Sequence, residues 1–594
     1  MILQSLVNYY EILSKDEEIN IPKIGYSRAN VSYAVNLSLE GELLNIIPMK
    51  LEVQRGKKIV EVPQSMDVPE QVKKASGVKS NFLCENLSYI FGVDNKGNSK
   101  RSKKCFEAFK QLHTNILQAV DNPTAKAVIN FVSKWNVDKA LEHPALTKCS
   151  DEILSVANFV FKINGDEFIH HNEEIRQAWV KYKSSSENTN VMQCLLTGKE
   201  SSIAILHPNI KGVKGAQSVG GSMVSFNERA YESYGRDKQQ GLNSPISEYA
   251  TFAYTTVLNY LLADTFHKLY LGDSTVVFWA ESPKKIYQDF MCLYINGEVV
   301  NNDENMVNDE VAASEVKSIF EKIAQGKPID ELSDIFDEKT NFHILAISPN
   351  AARLAVRFFI SKSFGELVKN IAVHYQDLRI EKQYLTEPDS FSVWRLLNET
   401  VSPKSKDKVA SPLMTGSTLK AIITGSPYPV SLYNSIMLRI KAEKDINYYK
   451  AAIIKGYLLR NTNKFEEVLT MALNEQSENR AYILGRLFAL LEKAQLDASP
   501  GIKATIKDRY FTSACATPAS VFPVLLRLSQ HHISKAEHGY LSDKKIASVL
   551  EKLDVENKPF PSNLLLEEQG VFILGYYHQR NALYQINNKK SKEN

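Results

Sequence analysis

The hydrophobic period of this chain changes once, near residue 390, and that change limits the folds open to it. Before it, apolar residues recur at every second position in short runs. "SYAVNLSLEGELLNIIPM" (32–49) and "KLEVQRGKKIVEVP" (50–63) each hold two runs, about Gly41 and Gly56, which predicts two β-hairpins. The second would carry Lys50, Arg55, Lys57 and Lys58 at or near its tip. "VMQCLLTGKESSIAIL" (191–206) predicts a third hairpin, and "STVVFWAE" (274–281) a buried strand. "NFHILAISPNAARLAVRFF" (341–359) reads as strand, turn at Pro349–Asn350, strand. Helical spacing intervenes at Ile2, Leu3, Leu6, Val7, Tyr10 and Leu13, from the basic run at 100–104 to Val120, and from Pro123 toward Trp135. Further helices are read near 171–183, 245–266 and 364–378. Beyond 390 the alternation vanishes, and helical patterns follow one another with Pro or Gly between them. In "ENRAYILGRLFALLEKAQ" (478–495), Ala481, Leu484, Leu487, Phe488, Leu491 and Ala494 form one stripe. The prediction is an α+β chain: a mixed, antiparallel-sheet body, then an all-α C-terminal bundle. The expected regions are 1–150, 151–390 and 391–594.

A length of 594 residues exceeds one core and predicts two to four domains. Net charge is only +3, so the overall balance argues nothing about partners. Its distribution does. Residues 50–110 hold 13 Lys and Arg against 7 Asp and Glu; 289–338 hold 3 against 13; 339–460 hold 18 against 9. Basic faces separated by an acidic one suit the holding of a polyanion in one orientation, and solvated helix faces give the same pattern. The acidic stretch 298–340 reads as helix and loop, and "NNKKSKEN" (587–594) as a solvated tail. No apolar run reaches the length of a membrane span, and "MILQSLVNYYEIL" lacks the basic start and small-residue cleavage site of a signal peptide. Six cysteines (84, 105, 149, 194, 292, 515) are scattered without a C-x-x-C, which fits a reducing cytoplasm and argues against a cysteine zinc site.

Chemical motifs are approached and missed. "GAQSVGGSMVSFN" (215–227) spaces Gly215, Gly220 and Ser222 like a P-loop, but position 221 is Gly where the phosphate-binding lysine belongs. What remains is a polar, small-residue loop. It is either a tight connection or a place where backbone approaches a polymeric phosphate. "DEFIH" (166–170) fits neither a helicase box nor a zinc-protease helix, and reads as a turn. His170–His171 and His531–His532 are not followed by Asp, and adjacent histidines diverge on a helix. No nucleophile elbow or kinase motif set is present. The expectation is a chain with no catalytic residues, no metal and no cofactor. A free-standing metal-dependent nucleic-acid enzyme remains the alternative.

Eight blocks, taken in order, carry a resemblance. They are MILQSLVNYYE, NFLCENLSYIFG, CLLTGKESSIAILHPNIKGVKGAQSVGGSMVSFN, YGRDKQQGLNSPISEYATFAYTTVLNYLL, GDSTVVFWAE, HILAISPNAARLAVRFF, FGELVKNIAVHYQDL and AYILGRLFALLEKAQ. Together they resemble the large subunit of the subtype I-C (Dvulg) CRISPR Cascade complex, from Met1 to about Ala582. One departure is Glu85, where the family pattern has Asp. The resemblance implies a cytoplasmic, non-enzymatic subunit of an RNA-guided complex. Such a subunit recognises the protospacer-adjacent motif (PAM) in double-stranded target DNA. It helps open the duplex, stabilises the R-loop and recruits a separate nuclease-helicase. Implied partners are the CRISPR RNA, the Cascade backbone subunits, the RNA-processing subunit, and a small subunit made from the C-terminal region by an internal start. No membrane is implied, and a purely structural ribonucleoprotein subunit with no DNA contact is the alternative within the same resemblance.

Residue roles follow from that resemblance. Lys79, Ser80, Asn81, Phe82 and Asn86 are the candidate PAM-binding set, the polar groups beside Phe82 suiting minor-groove contact; Asn81 and Asn86 equally suit turn caps. Lys211, Lys214, Gln217, Ser218, Gly220, Gly221, Ser222 and Asn227 form the candidate DNA loop, with Gln217 and Ser218 at the first opened base pair. Arg353, Arg357, Arg480, Arg486 and Lys493 are candidates for the displaced strand's phosphates. Met471 is the candidate internal start; Ser477 before Arg480 reads as a helix start, and Lys503, Lys507 and Arg509 add charge to that product.

Overall fold

The computed structural model describes residues 1–16, 19, 21–55, 58–71, 77–94, 100–147, 157–186, 190–233, 235–236, 238–264, 268–271, 274–296, 318, 321–322, 336–384, 386–388, 392–406, 409–553 and 558–590. Gly56, Lys57, Cys149 and nearly all of the expected acidic insertion lie outside them. Two compact units emerge. One comprises Met1–Ile210 with Ser222–Tyr260, the other Lys211–Gly221 with Leu261–Asn594.

In the first unit, strands β1 (Tyr26–Val31), β2 (Tyr33–Leu37), β3 (Leu43–Pro48), β4 (Lys50–Arg55) and β5 (Lys58–Pro69) follow the opening helix Ile2–Leu13. The two predicted hairpins are present, but they belong to different sheets. β5 pairs with both β1 and β4. β2 pairs with β3 and, in parallel, with β7 (Asn158–Ile163), which also pairs with β6 (Glu85–Asn86) and β8 (Glu167–Phe168). Helices Lys100–Leu117 and Pro123–Lys134 contribute to the aromatic core with Phe91, Phe109, Phe131, Phe159 and Phe161. The boundary expected at 150 therefore cuts one sheet, because β7 sits beside β2. The third predicted hairpin is β9 (Val191–Gln193) and β10 (Glu200–Ser202).

The second unit is built on an antiparallel sheet in the order β11 (Lys268–Leu271), β12 (Ser274–Ala280), β13 (Asn341–Asn350), β14 (Arg353–Ser363). Every residue of β12 is buried, as its unbroken apolar run predicts. The hairpin turn falls at Ala351–Ala352, later than expected, with Pro349 and Asn350 still paired to Leu354 and Arg353. Helix Phe364–Leu378 follows at once, its N-terminus capped by Ser363. Helices continue to Lys590, past the start of the expected tail. One apolar core runs from Leu269 to Leu583, so no core boundary falls at 390 even though the secondary structure changes there.

Helix Arg480–Ala498 corrects the stripe reading. Tyr482, Ile483 and Leu490 are buried like Leu484 and Leu487, so from Ala481 to Glu492 the helix is enclosed on all sides rather than amphipathic. It meets helix Leu566–Lys590 along glycines. A Cβ at Gly485 would collide with the Phe572 carbonyl, and one at Gly575 with the Tyr482 carbonyl.

Candidate nucleic-acid interface

The segment 79–86 is fixed from within. The Glu85 carboxylate, 1% exposed, accepts the Asn81 N–H at 3.0 Å and the Asn86 N–H at 2.9 Å. It thus closes the loop on itself. Leu83, at φ 49°, donates its N–H to His113 Nε2 at 3.0 Å, so Nδ1 of that ring carries the hydrogen and donates to the Phe109 carbonyl at 2.7 Å. Burial holds the His113 pKa down at about 4. Phe82 is fully buried, stacked between His113 at 5.0 Å and Trp179 at 5.1 Å. Asn86 accepts the Ser88 N–H and caps the helix Leu87–Ile90.

This overturns part of the site expected there. Phe82 is a core residue and cannot reach a base. Asn81 is only 5% exposed and sits in the same internal network. Of the cap and groove readings left open for Asn86, the structure supports the cap. Lys79 is exposed and Ser80 half-buried, with the Ser80 hydroxyl donating to the Asn81 carbonyl at 3.0 Å. They form the lip that this rigid loop presents.

The Gly-rich loop 211–221 crosses one end of the β11–β14 sheet. The Lys214 N–H donates to Thr275 Oγ1 of β12 at 3.0 Å. The Lys214 ammonium lies 5.4 Å from the ring centre of Tyr270 on β11. Gly215, at φ 80°, rests on Pro349 of β13. Gly221 abuts Leu354 and Arg353 of β14, where an added Cβ would lie 2.9 Å from Leu354 Cδ2. Between these anchors the Gly220 N–H closes a turn on the Gln217 carbonyl at 2.9 Å, which leaves Gln217, Ser218 and Val219 exposed.

The sheet end thus gathers residues read separately from the sequence. Arg353 and Arg357 share β14 with Leu354, and the loop packs where that strand begins. Gly221 has a packing reason for lacking a side chain, and both Gly220 and Gly221 are buried rather than open to a phosphate. Lys211 is exposed on the same loop. In the other unit, the Ser222 hydroxyl donates to Asn209 Oδ1 at 3.2 Å, and Asn227 is exposed.

The C-terminal candidates do not form a strip. Arg486 is 5% exposed; it donates to Gln579 Oε1 at 3.0 Å and to the Glu475 carbonyl at 3.1 Å. It ties the preceding loop to the last helix and is unable to track a strand. Lys493 is half-buried and ion-paired with Asp497 one turn on. Arg480 is exposed in an open cleft with Glu478, Glu551 and Lys552. Asn479, not Ser477, caps the helix, and Met471 lies in an exposed loop.

Sequence reasoning missed Lys268 and Tyr270. Their signal was available: two residues apart on one strand, they share a face. Among the described residues, no group of three or more His, Cys, Asp or Glu could hold a metal ion, and no helix is long and apolar enough to cross a membrane.

A search of curated proteins gives no match. A family model described as CRISPR-associated protein (Cas_Csd1) matches residues 6–584, nearly the whole chain, with seven of the eight ordered blocks in full and the first from Leu6 onward. The chain belongs to the Cas_Csd1 family of CRISPR-associated proteins.

Proposed function

We propose that this chain is the large subunit of a type I-C interference complex. In this reading it recognises the PAM in duplex DNA, helps separate the strands so that guide RNA can pair, and holds the opened DNA while a separate nuclease-helicase is recruited. It performs no chemistry itself, and it works in the cytoplasm beside the CRISPR RNA, backbone subunits and RNA-processing subunit. Protein reads the short motif and base pairing reads the rest, so the protein needs few base contacts but a firm grip on backbone. The observation that carries the reading is the sheet end. A short exposed turn, Gln217–Val219, is braced on three strands, with Lys214 and Arg353 at its anchors. A braced polar turn can enter a duplex, where an unanchored loop would fold back. Lys79 and Ser80 are the remaining candidates for reading the PAM. The C-terminal helices from Met471 onward are the proposed source of a small subunit.

Crosslinking in the assembled complex tests this. With PAM-bearing target DNA, crosslinked peptides should come from 211–221 and 353–357. A complex that captures target DNA with no crosslink to this chain leaves it a structural subunit. Metal-dependent cleavage of DNA by the purified chain overturns the non-enzymatic reading.

A further inference from the structure

Tyr270 stands out at the sheet end because it is 51% exposed on an edge strand, where a large aromatic ring gains little from packing. Two ammonium groups lie over its ring: Lys214 Nζ at 5.4 Å and Lys268 Nζ at 5.7 Å from the ring centre. They come from different segments, one from the Gly-rich loop and one from β11 itself. Lys268 Nζ is further positioned by donating to the Leu262 carbonyl at 2.7 Å. Among the described residues, neither ammonium has a carboxylate within ion-pair distance. Two like charges held about one exposed ring form a local site for an anion attached to something flat.

Single-stranded DNA has that chemistry. Its bases offer a π-face of any sequence, and each carries a phosphate within a few ångströms. Aromatic platforms flanked by basic side chains bind such strands without reading them. Duplex DNA does not fit, because its bases are stacked on one another and closed to an outside ring. An acidic protein surface would satisfy the lysines but leave the ring unused. From this geometry we infer that Tyr270, with Lys214 and Lys268, is a stacking platform for one unpaired nucleotide of opened DNA. The nucleotide's base takes the ring face as the flexible lysine side chains turn from it onto the phosphate. The Lys214 backbone bond to Thr275 ties the platform to the base of the Gln217 turn, so the nucleotide captured is one freed beside that turn. This rests on the reading of the sheet end as a DNA interface.

The test uses the fully assembled complex and target DNA carrying 2-aminopurine, a base analogue quenched by stacking, at successive positions beside the PAM. In the unmodified complex one position should stay quenched after opening, when its neighbours brighten. Tyr270→Leu keeps apolar bulk but removes the ring, and should brighten that position and weaken retention of the opened strand about tenfold. Tyr270→Phe should behave as the unmodified chain. If Tyr270→Leu leaves the fluorescence pattern and strand retention unchanged while the DNA is opened normally, the platform is refuted and the broader reading stands. If Lys211→Glu with Lys214→Glu leaves binding and opening of the target unchanged, this sheet end is no DNA interface and both fall.

Discussion

Neighbouring residues in the 79–86 segment sit in opposite environments. Phe82 is enclosed between His113 and Trp179, so Phe82→Ala should cost about 3–5 kcal/mol of stability through lost burial and the cavity left behind. The Lys79 side chain is exposed and only its backbone meets the core, at the Tyr89 hydroxyl, so Lys79→Ala should leave the melting temperature within about a degree or two. It should instead weaken binding to PAM-bearing duplex by about 1–3 kcal/mol and spare a target already opened, where base pairing supplies the energy. Melting curves and binding titrations on both substrates check the pair. Equal loss on both substrates would reassign Lys79 to general affinity. Residue types were legible here and their directions were not. A string such as "KSNFLCEN" suits a groove-reading loop, and only the tertiary partners, Glu85 beneath it and His113 beside it, turn Asn81 and Phe82 inward.

At the scale of elements, periodicity located most strands and helices because burial on one face leaves a clear repeat. It failed where burial has no side. Helix Arg480–Ala498 is enclosed all round from Ala481 to Glu492, and its apparent stripe was a subset of that buried surface. Parallel pairing of β2 with β7 was equally hidden, since more than a hundred residues separate them. The crossing at Gly485 and Gly575 gives a sharp expectation. Alanine favours a helix over glycine by about 1 kcal/mol, yet Gly575→Ala should lower stability, because its methyl meets the Tyr482 carbonyl. A rise in melting temperature would show that the helices do not approach so closely. Met471 belongs at this scale too. Helices Ile506–Ala516, Pro518–Lys535, Gly539–Leu550 and Leu566–Lys590 all pack on Arg480–Ala498, so a product starting at Met471 carries its own core. One face would be bared. Tyr433 lies against Gly570 and donates to the Leu566 carbonyl at 2.8 Å, contacts the shorter product lacks and would replace by docking. Met471→Leu should abolish the shorter chain in mass spectra of the expressed gene, while the unmodified gene yields it. A fragment that persists in the variant contradicts internal initiation.

Across the whole molecule, buried histidines set an acid limit. Burial lowers His113 and His207 to about 4 and His170, His374 and His578 to about 3. Each ring stays neutral when folded and takes a proton near pH 6.5 when unfolded. Their contribution is therefore fully present above 6.5 and is lost as pH falls from 6.5 through 4 toward 3. Each histidine removes about 1.4 kcal/mol per pH unit within its own window. Melting temperature should be level between pH 7 and 8 and fall steeply below 6; a flat profile to pH 5 would contradict these environments. In the proposed function the braced Gln217 turn helps part the strands. The direct measurement is the rate of target opening by complexes carrying Gln217→Ala, on a closed duplex and on one with a pre-melted bubble beside the PAM. Slowed opening of the closed duplex and a normal rate on the bubble are expected, because unpairing is the step the turn would assist. A defect of equal size on both substrates, or none on either, would contradict it.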